Sequence, residues 1–150
     1  MTICSHNRQC IFGNIVDGNM ILSDFGKCAE ESWLNIPLVT DYASIDEFVV
    51  MPDHMHGNIF IDNPDELREL KKKEFQVRKR SLSNVIRNFK SAVTTKIRSL
   101  HNDSDFIVWQ RKFYDRIVRD EMELKRIREY IINNPLRWQE EKGGPDNLMM

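Results

Sequence analysis

Short runs of β-branched and aromatic residues alternate along the chain with stretches whose apolar positions recur at helical spacing. Thr2-Ile3-Cys4 opens as a strand. Asn14-Ile15-Val16 and Met20-Ile21-Leu22 flank Asp17-Gly18-Asn19, and Asp-Gly between apolar runs predicts a β-hairpin. Ser23 can cap a helix running to about Asn35, with Phe25, Cys28, Ala29, Trp33 and Leu34 on its apolar side and Pro37 closing it. Ile45 to Val50 reads as a strand, Met51-Pro52-Asp53 as a turn, and His54 to Ile61 as the returning strand, ended by Asn63-Pro64.

Asp65 to Arg80 is mostly charged and reads as a loop or a mobile helix. Leu82 to Leu100 is an amphipathic helix with Leu82, Val85, Ile86, Phe89, Val93, Ile97 and Leu100 on one stripe. After a break at Asn102 to Ser104, Ile107 to Val118 mixes aromatics with bases. Asp120 and Glu123 form a capping-box variant, and the helix they open is expected to run to about Asn133, because Pro135 resists continuation. A flexible tail from about residue 139 is expected to follow, with Gly143-Gly144-Pro145 inside it. Antiparallel hairpins interspersed with helices predict one α+β domain over residues 1–150, an antiparallel β-sheet with packed helices.

With 41% hydrophobic and 30% charged residues the chain can bury one ordinary core, which excludes a disordered protein. Its longest apolar runs are too short to span a bilayer, and no basic stretch followed by an apolar one marks a signal peptide, so no membrane partner is expected. Three cysteines without CxxC spacing read as reduced thiols. The net charge of −1 hides a basic region: Arg68 to Arg119 carries fifteen Lys and Arg against five Asp and Glu. Such asymmetry fits a face that meets a polyanion, or equally a solvated helix face.

The chain has four histidines, of which His54 and His56 are separated by one residue inside a predicted strand. Residues i and i+2 of a strand share a face, so the two imidazoles stand side by side while Met55, Ile59 and Ile61 point to the core. Two imidazoles so placed can grip one divalent cation. Tyr130 and Asn134, four apart, share a helical face if the last helix reaches that far, and the Asn134 carbonyl oxygen can ligate a hard cation. By spacing alone the blander alternatives stand ahead: a metal-free histidine pair, a core aromatic in the stripe Leu124, Ile127, Ile131, and a helix C-cap.

Three ordered motifs change that balance. Glu47-Phe-Val-Val-Met-Pro-Asp-His-Met-His56 resembles the histidine–hydrophobe–histidine motif of single-tyrosine HUH transposases, as does Trp109-Gln-Arg-Lys-Phe-Tyr-Asp-Arg-Ile-Val-Arg-Asp120 in its turn. Glu129-Tyr-Ile-Ile-Asn-Asn-Pro135 is similar to the tyrosine helix of their REP-associated branch. The resemblance runs from Thr2 to about Trp138 and implies a ferredoxin-like α+β fold, Mg²⁺ or Mn²⁺ as the metal, Tyr130 as nucleophile and Asn134 completing the site of His54 and His56. Tyr114 is the rival nucleophile, in a segment expected to contribute packing and DNA contact. Members of this family carry several residues more before the Thr-Ile-Cys strand, which leads us to expect a shortened first strand that loses ladder hydrogen bonds.

The implied activity is metal-dependent cleavage and rejoining of single-stranded or hairpin DNA through a 5′-phosphotyrosine, in a bacterial cytoplasm beside the nucleoid. Arg87, Lys90, Arg111, Lys112 and Arg116 are the expected backbone contacts. One tyrosine per chain means that two cleavages need two rounds or a homodimer. An inactive DNA-binding module on the same fold, and a metal hydrolase with a water nucleophile, are the competing readings.

Overall fold

The structure, a computed structural model, describes residues 1–62 and 81–143. The charged stretch Asp65 to Arg80, the Asn63-Pro64 stop and the tail beyond Gly143 lie outside the described residues. In chain order the elements are β1 (Thr2–Cys4), a 3-10 turn (His6–Arg8), β2 (Gly13–Val16), β3 (Asn19–Leu22), α1 (Asp24–Leu34), α2 (Ile36–Val39), β4 (Ala43–Val50), β5 (His54–Ile61), α3 (Leu82–His101), α4 (Glu121–Ile132) and α5 (Asn134–Gly143).

β5 lies between β1 and β4 and is antiparallel to both, so β1 and β4 run parallel with α1 in their crossover. Beyond β1 the chain returns as residues 108–114: Thr2 exchanges main-chain hydrogen bonds of 2.7 and 2.9 Å with Tyr114, and Gln110 N–H donates to Cys4 O at 2.9 Å. The spatial order, edge segment, β1, β5, β4, with α1 and α3 as connections, is the split βαβ arrangement of a ferredoxin-like sheet. The β2–β3 hairpin is an insertion in the first crossover. Its turn is tighter than expected, because Val16 pairs with Asn19 and leaves Asp17-Gly18 alone at φ 51° and 76°. Positive φ at both central residues is the type I′ geometry that matches strand twist.

One face of the sheet holds the core. Ile3, Met55 and Val50 form a buried cross-strand row, and α1 and α3 lay Ala29, Trp33, Val85, Ile86, Phe89, Val93 and Ile97 over it. Leu34 and Leu100, counted with the apolar stripes, are exposed, each in the last turn of its helix. Met1 and Gly57 also exchange main-chain bonds of 3.0 and 3.2 Å at the end of the β1–β5 ladder.

Ser23 and Asp120 cap as expected: Ser23 Oγ accepts from Gly26 N–H at 3.1 Å, and Asp120 Oδ1 from Glu123 N–H at 2.7 Å. The two prolines behave otherwise. Pro37 stands in the first turn of α2, and Pro135 is the second residue of α5, which carries the chain through Gly143 where a tail from about 139 was expected. A proline lacks only an N–H that the first helical turn does not use, so it starts a helix as readily as it stops one.

Candidate active site

α4 covers part of the sheet face opposite the core, packing Ile131 toward β4. Strand alternation in β5 turns His54, His56 and Asn58 to this face. Their setting depends on a register shift in β4 between Ile45 and Phe48, which turns Asp46 to the same side. There Arg128 of α4 grips Asp46 with two hydrogen bonds of 2.8 Å, and Asn58 adds a third at 3.3 Å. Arg128 holds the Asp46 carboxyl below the ordinary carboxylate range.

That pair fastens the tyrosine helix to the sheet, and its sign is testable. A depressed folded-state pKa contributes stability above the ordinary carboxylate value of about 3.9 that disappears as pH falls through the folded one. Asp46→Asn should therefore lower Tm by about 2–4 °C at pH 7, and the gap from wild type should close below pH ~4. A gap that persists unchanged at pH 3 would show that the charge is irrelevant.

The two imidazoles converge, with 3.1 Å between their Nε2 atoms. Each is held from behind. His54 Nδ1 lies 2.6 Å from Asp53 Oδ1, and His56 Nδ1 lies 2.8 Å from Thr2 Oγ1. Burial alone would raise the Asp53 carboxyl, but hydrogen bonds from His54 and Arg8 outweigh it and keep it below the usual range. An ionised Asp53 can accept a hydrogen bond from His54 Nδ1–H, which orients the ring with its Nε2 atom toward His56. Burial, with the His54 ring second, pushes His56 down to about 4, so that ring is neutral at pH 7, the form that ligates metals.

These rings line a cleft of about 380 Å³ together with Thr2, Arg8, Tyr130, Asn134, Arg137, Trp138 and Glu141. The Tyr130 ring lies 5.4 Å from His56 and is 42% exposed, so it is no core aromatic; its neighbour Ile131 is the buried one. Asn133 is the C-cap of α4, and Asn134 starts α5, buried at the cleft wall. Arg137 stands over the Tyr130 ring at 4.7 Å, and Trp138 lies 5.9 Å from His54. Tyr114 shares a cross-strand row with Thr2 and His56, which puts its side chain on this face. Two strand spacings, about 9–10 Å, separate its backbone from that of His56.

A cation fits the imidazole pair. Cis ligands about 2.1 Å from an octahedral ion stand about 3.0 Å apart, close to the Nε2 separation. Among the described residues no third His, Cys, Asp or Glu joins the pair; Asn134 lines the same cleft.

The expected backbone contacts divide. Arg87, Arg111 and Lys112 are exposed, Arg87 on the helical layer across the sheet from the cleft. Arg116 lies 2.7 Å from Glu123. Lys90 differs from expectation: its ammonium is half-buried and donates to the carbonyls of Gln110 and Arg111 (2.8 and 3.4 Å), clipping the edge segment to α3. Asp53, Thr2, Arg8, Arg137 and Trp138 were not foreseen. Only Asp53, beside His54, carried a sequence signal, since a carboxylate commonly orients a ligating imidazole.

Among the described residues no helix is long and apolar enough to cross a membrane. No family model matches the chain. Its fold is similar to that of a REP-associated tyrosine transposase solved bound to a REP hairpin, with a TM-score of 0.62 and 16% identity over 91% of this chain and 64% of that one. This chain thus spans just under two thirds of that protein, and the likeness is one of fold. A protein of Haemophilus influenzae, described as an uncharacterized protein, is 37% identical over 150 residues, covering 95% of this chain and 82% of its own length. At that identity and coverage, the chain belongs to the same family as this Haemophilus influenzae protein.

Proposed function

We propose that this protein is a metal-dependent endonuclease and strand transferase of single-stranded or hairpin DNA, a tyrosine transposase in which Tyr130 is the nucleophile. The observation that carries the reading is the meeting in one cleft of two imidazole Nε2 atoms 3.1 Å apart, a half-exposed tyrosine 5.4 Å from one of them and a buried asparagine. The REP hairpin held by the protein of similar fold supports a folded single strand as substrate.

Mg²⁺ or Mn²⁺ on His54, His56 and Asn134 would polarise and orient the scissile phosphate. Asp53 and Thr2 hold the two rings from behind so that both Nε2 atoms face one point. The Tyr130 oxygen forms a bond to phosphorus as the bond from phosphorus to the 3′ oxygen breaks. The phenolic proton passes to solvent, and the departing 3′ oxygen takes a proton from water. Arg137 sets a positive charge against the ring that carries the attacking oxygen. Reversal by another 3′-hydroxyl rejoins the strand, and two such events need a second round or a second subunit. Arg111, Lys112 and Arg116, on the edge segment, would follow the backbone away from the cleft; Arg87, on the opposite layer, has no part in this reading. Acting on a chromosome, the protein would work in the cytoplasm beside the nucleoid.

The test is a denaturing gel of the protein with 5′- and 3′-labelled hairpin oligonucleotides. With Mn²⁺, label on the 3′ side of the cut should migrate with the protein, and a chelator should abolish the adduct. Cleavage without any protein-bound label would point to a water nucleophile, and no cleavage under any divalent ion would leave a DNA-binding module.

A further inference from the structure

We propose that Arg8 is a second holder of the scissile phosphodiester, donating its free Nη2 group to a non-bridging oxygen in the cleft that Tyr130 also lines. This rests on the reading above that a DNA phosphate enters the cleft. Arg8 ends the short turn after β1, and both it and Asn7 have positive φ, 53° and 54°. Two consecutive left-handed residues with Cβ atoms are unfavourable, and such a conformation persists only where the surroundings impose it. Here they do. Ser5 Oγ, inside a fully buried residue, donates to Gln9 O at 2.7 Å and to Asp53 O at 3.0 Å, pinning both ends of the turn to the β4–β5 connection.

The turn delivers the guanidinium to the cleft. Arg8 Nε donates to Asp53 Oδ2 at 3.0 Å, and Nη1 to Cys4 Sγ at 3.4 Å. Nη2 has no protein partner among the described residues, and the side chain is 51% exposed on the cleft shared by His54, His56, Tyr130 and Asn134. Asp53 already has His54 as a partner on its other oxygen. An ion pair alone would need neither the left-handed backbone nor the outward edge. A planar guanidinium anchored at Nε and Nη1 and open at Nη2 is a geometry that can grip a phosphate oxygen. As phosphorus passes through five-coordination, charge builds on the non-bridging oxygens, where a fixed cation stabilises it most.

The experiment uses the full chain, Arg8→Gln and Arg8→Lys, with a hairpin oligonucleotide. Binding is measured against salt in the absence of divalent ions, Mn²⁺ binding by titration without DNA, and cleavage under single-turnover conditions. Arg8→Gln should flatten the plot of log K against log salt by about 0.7, the loss of one single-strand phosphate contact. It should slow cleavage by about 10²-fold, with Mn²⁺ affinity within about threefold of wild type. Arg8→Lys, which keeps the charge and loses the fork, should retain the slope and recover part of the rate; it decides the matter if the glutamine variant does not fold. An unchanged slope in Arg8→Gln, or Mn²⁺ affinity that falls in step with cleavage, overturns the proposal; so does a lysine variant as fast as wild type. A wild type that binds DNA yet forms no tyrosine adduct sinks the proposed function alone, since the salt slope still decides the phosphate contact. A wild type that binds no single strand sinks both.

Discussion

Tyr130→Phe should abolish the protein–DNA adduct and reduce cleavage by at least about 10³-fold while leaving the fold intact. The substitution removes one oxygen. No described residue holds that oxygen, and the ring is 42% exposed, its positions against His56 and Arg137 being ring contacts that phenylalanine keeps. Tm should therefore stay within a degree or two of wild type, and Mn²⁺ binding should persist. Tyr114→Phe is the matched control: its side chain lies on the same face, 64% exposed, but two strand spacings from the imidazoles. If Tyr130→Phe forms adduct as well as wild type does, or if Tyr114→Phe loses it, the nucleophile has been misassigned.

The largest effect on stability is expected under the imidazole strand. Trp33 is completely buried, edge-on to Phe89 with ring centroids 5.4 Å apart and tilted against Phe48 at 5.8 Å. It sits directly beneath Gly57, where an added Cβ would come within 2.4 Å of the indole Cζ2. Trp33→Ala should cost about 3–5 kcal/mol by loss of buried surface and the cavity left behind, a fall in Tm on the order of 10 °C. Gly57→Ala should cost about 1–3 kcal/mol by overpacking, and because Gly57 follows His56, relief of the clash by the strand would also weaken Mn²⁺ binding. The two positions are in contact, so their effects should not add. In Gly57→Ala/Trp33→Leu the smaller side chain makes room for the methyl, and the double variant should be more stable than the sum of the single Gly57→Ala and Trp33→Leu effects predicts. Urea unfolding of the four proteins measures the coupling; a Gly57→Ala protein as stable as wild type would mean that the contact is soft.

Much of the scaffold was legible in local pattern. Strand alternation by itself puts His54 and His56 on one face, because a period of two leaves no other choice. Asp17-Gly18 marked its hairpin, Ser23 and Asp120 marked their helix starts, and the apolar stripe of α3 named its buried residues, since each of these signals acts within a few positions.

What local pattern left open is what depends on opposed surfaces. Pro37 and Pro135 read as stops and are starts, because the missing N–H is harmless in a first turn and the sequence alone does not say which turn that is. The edge segment shows no strand alternation; its bonds to Thr2, Cys4 and His6, the burial of Val108 and Trp109 in the core and the Lys90 clip from α3 draw it to the sheet. His56 depends on Thr2, 54 positions away, Asp53 on Arg8, 45 away, and α4 on an Asp46–Arg128 pair 82 apart. The chain by itself determined on which side of their own strand His54 and His56 stand. The tertiary structure decided which of them meet, because hydrogen bonds and ring contacts reach only a few ångströms and sequence separation carries no information at that range.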